Sequence, residues 1–198
     1  MKTIYFCTTN KGKKQKIQRE FSHYKNDILI EIISFEVNEI QNIDNSLVSE
    51  YKVKEVYRKI QKPCFAIDSG IFIKNLNGFP GSYVKMILET IGTEGILKLL
   101  TNFSDRTCYI KNSLAFFDGK NLKIFEEKIE GTISEKKANE IINNRAWSEL
   151  HKIFIPKNYT KPLAEMTNEE YVLWQDDVSK KGITKEFMNW INSKKFKK

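Results

Sequence analysis

From Thr3 to Gly70 the chain alternates between two kinds of pattern, and that alternation limits the fold more than any other feature of the sequence. "TIYFC" (3–7) is a short β-branched and aromatic run of the kind that forms a buried strand. Ile17 and Phe21 then stand four apart, on one face of a helix whose other face is basic. "ILIEII" (28–33) is the next strand pattern. Val53, Val56, Tyr57 and Ile60 follow at helical spacing as a second amphipathic helix. Pro63 ends it, and "CFAI" gives a third strand that runs into "DSG", with Asp68 placed where the apolar run stops. Strands and helices in this order predict an α/β fold.

The middle of the chain adds an antiparallel component. Val84, Ile87, Leu88 and Ile91 mark a helix after the turn "GFPGS", and Ile96, Leu97, Leu99 and Leu100 mark another after Gly95. "TCYIKNSLAFF" and "NLKIFEEKIEG", joined by "DGKN", predict a long hairpin. Beyond residue 131 the patterns weaken: one helix is expected at 135–145, and Phe187, Met188 and Ile191 mark a last one. No repeat, low-complexity linker or boundary interrupts the 198 residues, which are expected to form a single unit of two lobes.

A hydrophobic fraction of 40%, with 12% aromatic, supports a packed core rather than a disordered chain. Lys and Arg number 33 against 25 acids, a net charge of +8 that suits an anionic partner or serves solubility alone. No nucleic-acid reader motif or basic aromatic cluster accompanies that charge, which argues against a nucleic-acid module. Cys7, Cys64 and Cys108 lie in apolar runs without CxxC spacing, so buried, reduced thiols in a cytoplasmic protein are expected, and zinc is not. No apolar run is long enough to span a bilayer, and the N-terminal one is too short for a signal sequence.

Four positions could carry chemistry. The turn "TTNKGK" places Thr8, Thr9, Asn10, Gly12 and Lys13 between a strand and a helix start. Unpaired N–H groups at the positive end of a helix bind phosphate, and Lys13 would add charge; the same turn also serves as an ordinary strand-to-helix connection. Asp68, at the carboxyl end of its strand, either faces a binding crevice or caps its own turn. Glu39, beyond the second strand, reads by itself as a solvated loop acid but could face the same crevice, and two acids there could hold magnesium with substrate phosphates completing the shell. Lys52 sits one position before the apolar stripe and reads equally well as a solvated lysine.

Together these stretches resemble the inosine/xanthosine triphosphate pyrophosphatase family. "TTNKGK" is similar to its T-x-N-x-(G/K)-K opening, and "FAIDSGIFIKNLNGFPGSYVK" to its acid-D-S-G strand and G-x-P-G-x-Y turn. "KIEGTISE" is similar to its G-x-I strand end, and "IFIPKNYTKPLAEMTNEE" to its F-x-P…T-x-A-E-M segment. The likeness runs in order to about residue 170; residues 171–198 have no clear counterpart. It implies an elongated, two-lobed α/β fold with a mixed twisted sheet and a central nucleotide cleft, and usually a homodimer. It implies Mg²⁺-dependent hydrolysis of a nucleoside triphosphate to monophosphate and pyrophosphate. By position it implies that Thr9, Asn10, Lys13 and Lys52 contact phosphate. Glu39 and Asp68 would hold magnesium, with Asp68 also orienting or deprotonating the attacking water. Ser69, Gly70, Trp147 and Glu165 would line the substrate site.

The chain also departs from the family pattern. Ile67 stands where a first acid precedes Asp68, and Lys16 where a glutamate follows the Lys13 turn. The F-G-(W/Y)-D-P segment is replaced by "AWSELHKIF", with Trp147 as a stand-in aromatic and Leu150 and His151 at other positions. The S-H-R motif is replaced within "YVLWQDDVSKK", where Asp176 and Asp177 are acceptors and Tyr171 stands nearest the usual lysine. A phosphate half kept and a base half rewritten predict altered base preference; the alternative is a weak or inactive nucleotide-binding relative.

Overall fold

The computed structural model describes residues 2–22, 28–143, 145 and 148–193; His23, Trp147 and the lysine-rich run at 194–198 lie outside them. The elements are β1 (Lys2–Cys7), α1 (Lys11–Ser22), β2 (Ile28–Ile33), α2 (Asn45–Ile60), β3 (Cys64–Ile73) and β4 (Pro80–Gly81). They continue as α3 (Val84–Thr90), α4 (Gly92–Leu99), β5 (Thr107–Phe117), β6 (Leu122–Ile133), β7 (Phe154–Pro156), α5 (Asn168–Lys180) and α6 (Ile183–Asn192). The strands are ordered β2-β1-β3-β5-β6-β7, with β4 paired to β3. β1 runs parallel to β2 and β3, while β3–β4 and β6–β7 are antiparallel, so the sheet is mixed as the sequence predicted.

The chain divides into two compact units, one of Met1–Asp68, Asn112–Glu127 and Ser179–Lys198, the other of Ser69–Lys111 and Lys128–Val178. The first unit shows why the early strands read as continuous apolar runs. Ile4, Phe6, Phe65 and Ile67 pack against Ile17 of α1 and Ile183, Phe187 and Ile191 of α6. The alternate residues Cys7, Cys64 and Ala66 pack against Val53 and Val56 of α2. A strand buried on both faces has no polar side to alternate with. Phe187 sits centrally in an aromatic cluster, its ring 4.9 Å from Phe65 and 5.7 Å from Phe125, so the unassigned end of the sequence supplies a core helix. α2 begins at Asp44, whose carboxylate accepts the Ser46 N–H at 3.0 Å, and ends at Gln61 in the left-handed region.

In the second unit, Ile71, Ile73, Ile96, Leu100, Cys108, Phe154, Leu163, Met166 and Tyr171 form the core. The Arg106 guanidinium joins three segments there, donating to the carbonyls of Leu100, Ile133 and Ser134 at 2.9 Å each. All three cysteines are buried and free, as expected.

Two expectations are corrected. The strand does not stop at Asp68: β3 runs through "DSG" to Ile73, because Ile71, Phe72 and Ile73 extend its buried face. Gly70 permits this, since a Cβ there would lie 2.6 Å from the Gly81 carbonyl oxygen of β4. The helix expected at 135–145 is absent over 135–143. Its donors are taken elsewhere: Ala138 N–H by the Lys152 carbonyl, Ile142 N–H by Ala164, and the Asn143 carboxamide by Leu163 and Met166.

Candidate active site

The turn after β1 forms a capped helix start. Thr8, buried, accepts the Asn10 N–H on its hydroxyl at 3.2 Å. Asn10 accepts the Lys13 N–H on its side chain at 2.9 Å and the Lys14 N–H on its carbonyl at 3.1 Å, which makes Asn10 the N-cap of α1. The Asn10 side-chain oxygen thus caps the helix. The N–H groups that precede the cap bond, those of Lys11 and Gly12, are the donors the turn offers an anion. Thr9 is exposed on the same turn.

Lys13 gathers the charges of the first unit. Its ammonium donates to the Ile67 carbonyl at 2.8 Å and lies 4.0 Å from the Asp68 carboxylate. Both side chains are mostly buried, 17% and 13% exposed, so the pair is screened far less than one on the surface. Burial pulls the Lys13 pKa below the ordinary lysine value, and Asp68 opposes that pull. Lys52, Glu39 and Lys16 act on Lys13 more weakly. Lys52 is not a solvated lysine: its side chain is 15% exposed and bonds to Glu39, which is itself 45% exposed. Lys13, Asp68, Lys52 and Glu39 thus form one cluster of opposed charges at the strand-to-helix turn.

The neighbours of this cluster hold it in place. Asn45, fully buried at the start of α2, donates to the Asp68 carbonyl at 3.2 Å, and the buried hydroxyls of Ser49 and Ser113 lie 2.8 Å apart. Sequence reasoning missed Asn45; the cap sequence "IDNSLV", just before the apolar stripe of α2, was the available signal. Cys7 precedes the turn, but burial raises its thiol pKa and it points at the Phe35 carbonyl, 3.7 Å away, so it offers no nucleophile. Asp68 and Glu39 fit a hard cation taken through oxygen. Among the described residues no group of three or more His, Cys, Asp or Glu forms a closed cage.

Ser69, Gly70 and Glu165 belong to the second unit, where Gly70 is buried and Ser69 and Glu165 are half-buried. Trp147 lies outside the described residues. The residues at the altered positions of that unit serve packing. Leu150, His151 and Tyr171 are buried, with the His151 ring 6.1 Å from Tyr171 and Tyr171 5.2 Å from Trp174. Burial lowers the His151 pKa from 6.5 to about 4. Asp176 and Asp177 are exposed on α5.

Fold and cluster together define a mixed-sheet α/β protein with partly buried, opposed charges at its first strand-to-helix turn. The model of the Ham1 family matches residues 4–175, and the chain belongs to that family. It is 33% identical over 191 residues to the dITP/XTP pyrophosphatase of Thermococcus kodakarensis, covering 95% of this chain and 96% of that protein. It is 35% identical over 192 residues to the enzyme of the same name from Pyrococcus horikoshii, covering 95% and 96%. Among solved structures it is similar to a nucleoside-triphosphatase, or dITP/XTP pyrophosphatase, from Mycobacterium abscessus. That match has a TM-score of 0.74 at 19% identity and covers 96% of this chain and all of that one. It is also similar to the Staphylococcus aureus Ham1 protein, with a TM-score of 0.69 at 20% identity, covering 91% and 100%. The two structures support the fold. No helix among the described residues is long and apolar enough to cross a membrane.

Proposed function

We propose that this chain is a hydrolase that cleaves a nucleoside triphosphate to the monophosphate and pyrophosphate, with magnesium as cofactor. The observation that carries this reading is the Lys13–Asp68–Lys52–Glu39 cluster in a Ham1-family chain. The dITP/XTP pyrophosphatase relatives, at 33% and 35% identity over nearly their whole length, support the reaction class.

Hydrolysis of a phosphoanhydride needs charge neutralisation, in-line positioning and a proton acceptor for the attacking water. Lys13 and Lys52, now facing Asp68 and Glu39, move their ammonium groups onto phosphate oxygens, while the Lys11 and Gly12 N–H groups donate from the helix start. Asp68 and Glu39 would hold Mg²⁺, which when bound neutralises phosphate charge. The water oxygen attacks the phosphorus nearest the nucleoside, its proton passes to the Asp68 carboxylate, and pyrophosphate leaves with the electrons of the broken P–O bond. Asn45 keeps the Asp68 backbone in place during this exchange.

Base preference has moved away from inosine and xanthosine in this reading. Its support is the use made of the altered positions: Leu150, His151 and Tyr171 are spent on the core. Ile67 favours a second reading, a weak or inactive nucleotide binder, because an apolar side chain packed in the first core stands where the family carries an acid. Magnesium titration of pyrophosphate release separates the two. The enzyme reading expects turnover abolished by EDTA, and a half-saturating Mg²⁺ concentration about tenfold higher in Glu39→Gln. Turnover that is indifferent to EDTA would remove magnesium from the proposal, and none with any metal would leave the binder.

A further inference from the structure

We infer that Lys16 is a third phosphate-binding cation of this site, held for that task by Glu127. The inference rests on the reading of the Lys13 cluster as a triphosphate site. Lys13 and Lys16 are three apart on α1 and so lie on one helix face, close enough for their charges to repel. A lysine placed beside another lysine needs a carboxylate, and here it comes from the sheet. Lys16 lies 3.3 Å from Glu127 of β6, whose side chain is only 8% exposed.

Glu127 is itself built in. One carboxylate oxygen also accepts from the Asn112 carboxamide at 2.7 Å, and the other accepts the Ile183 N–H of α6 at 3.0 Å. A buried carboxylate with donors on both oxygens is fixed in position. It fixes one side of the Lys16 ammonium while the lysine side chain remains 32% exposed. Burial disfavours the Lys16 charge, but Glu127, with Glu20 behind it, more than offsets this, and the pKa rises above the ordinary value. Lys16 therefore stays charged where Lys13 is drawn the other way by its burial.

This arrangement gives the acid-to-lysine exchange at position 16 a role. The helix face that carries Lys13 gains a permanent positive charge, and its counter-charge sits behind it on the sheet. A triphosphate carries enough negative charge to engage Lys13, Lys16 and Lys52 together, which a monophosphate does not. Lys16 should accordingly act on affinity for the triphosphate rather than on the reacting bond.

The test is calorimetric binding of inorganic tripolyphosphate in EDTA, alongside KM and kcat on whichever nucleoside triphosphate is turned over. Wild type, Lys13→Ala, Lys16→Gln, Lys16→Arg and the double variant Lys16→Gln/Glu127→Gln are compared. Lys16→Gln should weaken tripolyphosphate binding and raise KM by about tenfold, the scale of one charge-assisted hydrogen bond, with kcat nearly unchanged. Lys16→Arg should retain most of the affinity. The double variant, which leaves no buried carboxylate without its lysine, should melt closer to wild type than Lys16→Gln and still show the loss. If Lys13→Ala weakens binding while Lys16→Gln and the double variant do not, Lys16 only ties α1 to the sheet and the inference falls alone. If wild type does not bind, or Lys13→Ala binds as wild type does, the phosphate reading of the cluster falls and takes the inference with it.

Discussion

The two units treat buried polar groups in opposite ways. In the first, the mostly buried Lys13 lies against Asp68 and the mostly buried Lys52 against Glu39, an arrangement costly in water-poor surroundings unless the groups are well paired. In the second, the buried polar side chains do structural work. Asn143 donates to the Leu163 and Met166 carbonyls, and burial keeps His151 neutral beside Tyr171. Opposed charges that can exchange partners are suited to an anionic ligand, whereas saturated hydrogen bonds and packed rings are suited to holding a fold.

The largest expected effect comes from Asp68→Asn. Removing the proton acceptor should lower kcat by about a thousandfold while the protein remains folded, as steady-state kinetics and thermal unfolding would show. Normal turnover would break the contrast on its chemical side. His151 tests the other side. It is neutral in both folded and unfolded chains above pH 6.5. Below that the unfolded chain takes a proton that the folded chain resists until about pH 4. Stability should therefore fall between about pH 6.5 and about 4, by up to about 3 kcal/mol, and urea unfolding of His151→Gln should lack that part of the loss. An identical pH profile in the variant would mean the ring is not held as described.

Lys13→Ala should lower kcat/KM by about thirtyfold, with both parameters changed, because contacts to phosphate tighten as charge develops. In wild type, KM should rise on the alkaline side earlier than an ordinary lysine would cause, since burial lowers the Lys13 pKa. The smallest effect is expected at α5. Asp176→Asn and Asp177→Asn should leave kcat/KM within about twofold for a fixed substrate, as exposed charges do. A change in which base is preferred would bring α5 into substrate selection and blur the contrast.

Much of the first unit was legible because its elements follow simple rules. β1 and β3 are apolar runs packed on both faces, the edge strand β2 is an apolar run that turns Ile28, Ile30 and Ile32 to the core, and α2 has a clean stripe at Val53, Val56 and Tyr57. Lys13 and Asp68 could be singled out because each stands at the edge of such a run. Lys52 could not be separated from a solvated lysine, because its burial depends on Glu39, thirteen residues away. The end of β3 was misplaced because "DSG" has turn composition, and only the pairing with β4 shows why the strand continues. Glu127 was overlooked in "FEEKIEG", although it stands between Phe125 and Ile129 on one side of an alternating strand, an inward place for a charge. The helix expected at 135–145 failed over 135–143 for the reverse reason: local pattern favoured it, and hydrogen bonds to residues 152–166 displaced it.

The measurement that bears most directly on the central claim is pyrophosphate release, with Mg²⁺, from a panel of ordinary, deaminated and modified nucleoside triphosphates, beside the Asp68→Asn variant. The account predicts turnover of one or a few of these, led by a base other than hypoxanthine or xanthine, and lost in the variant. Release from none of them by a folded protein would contradict it.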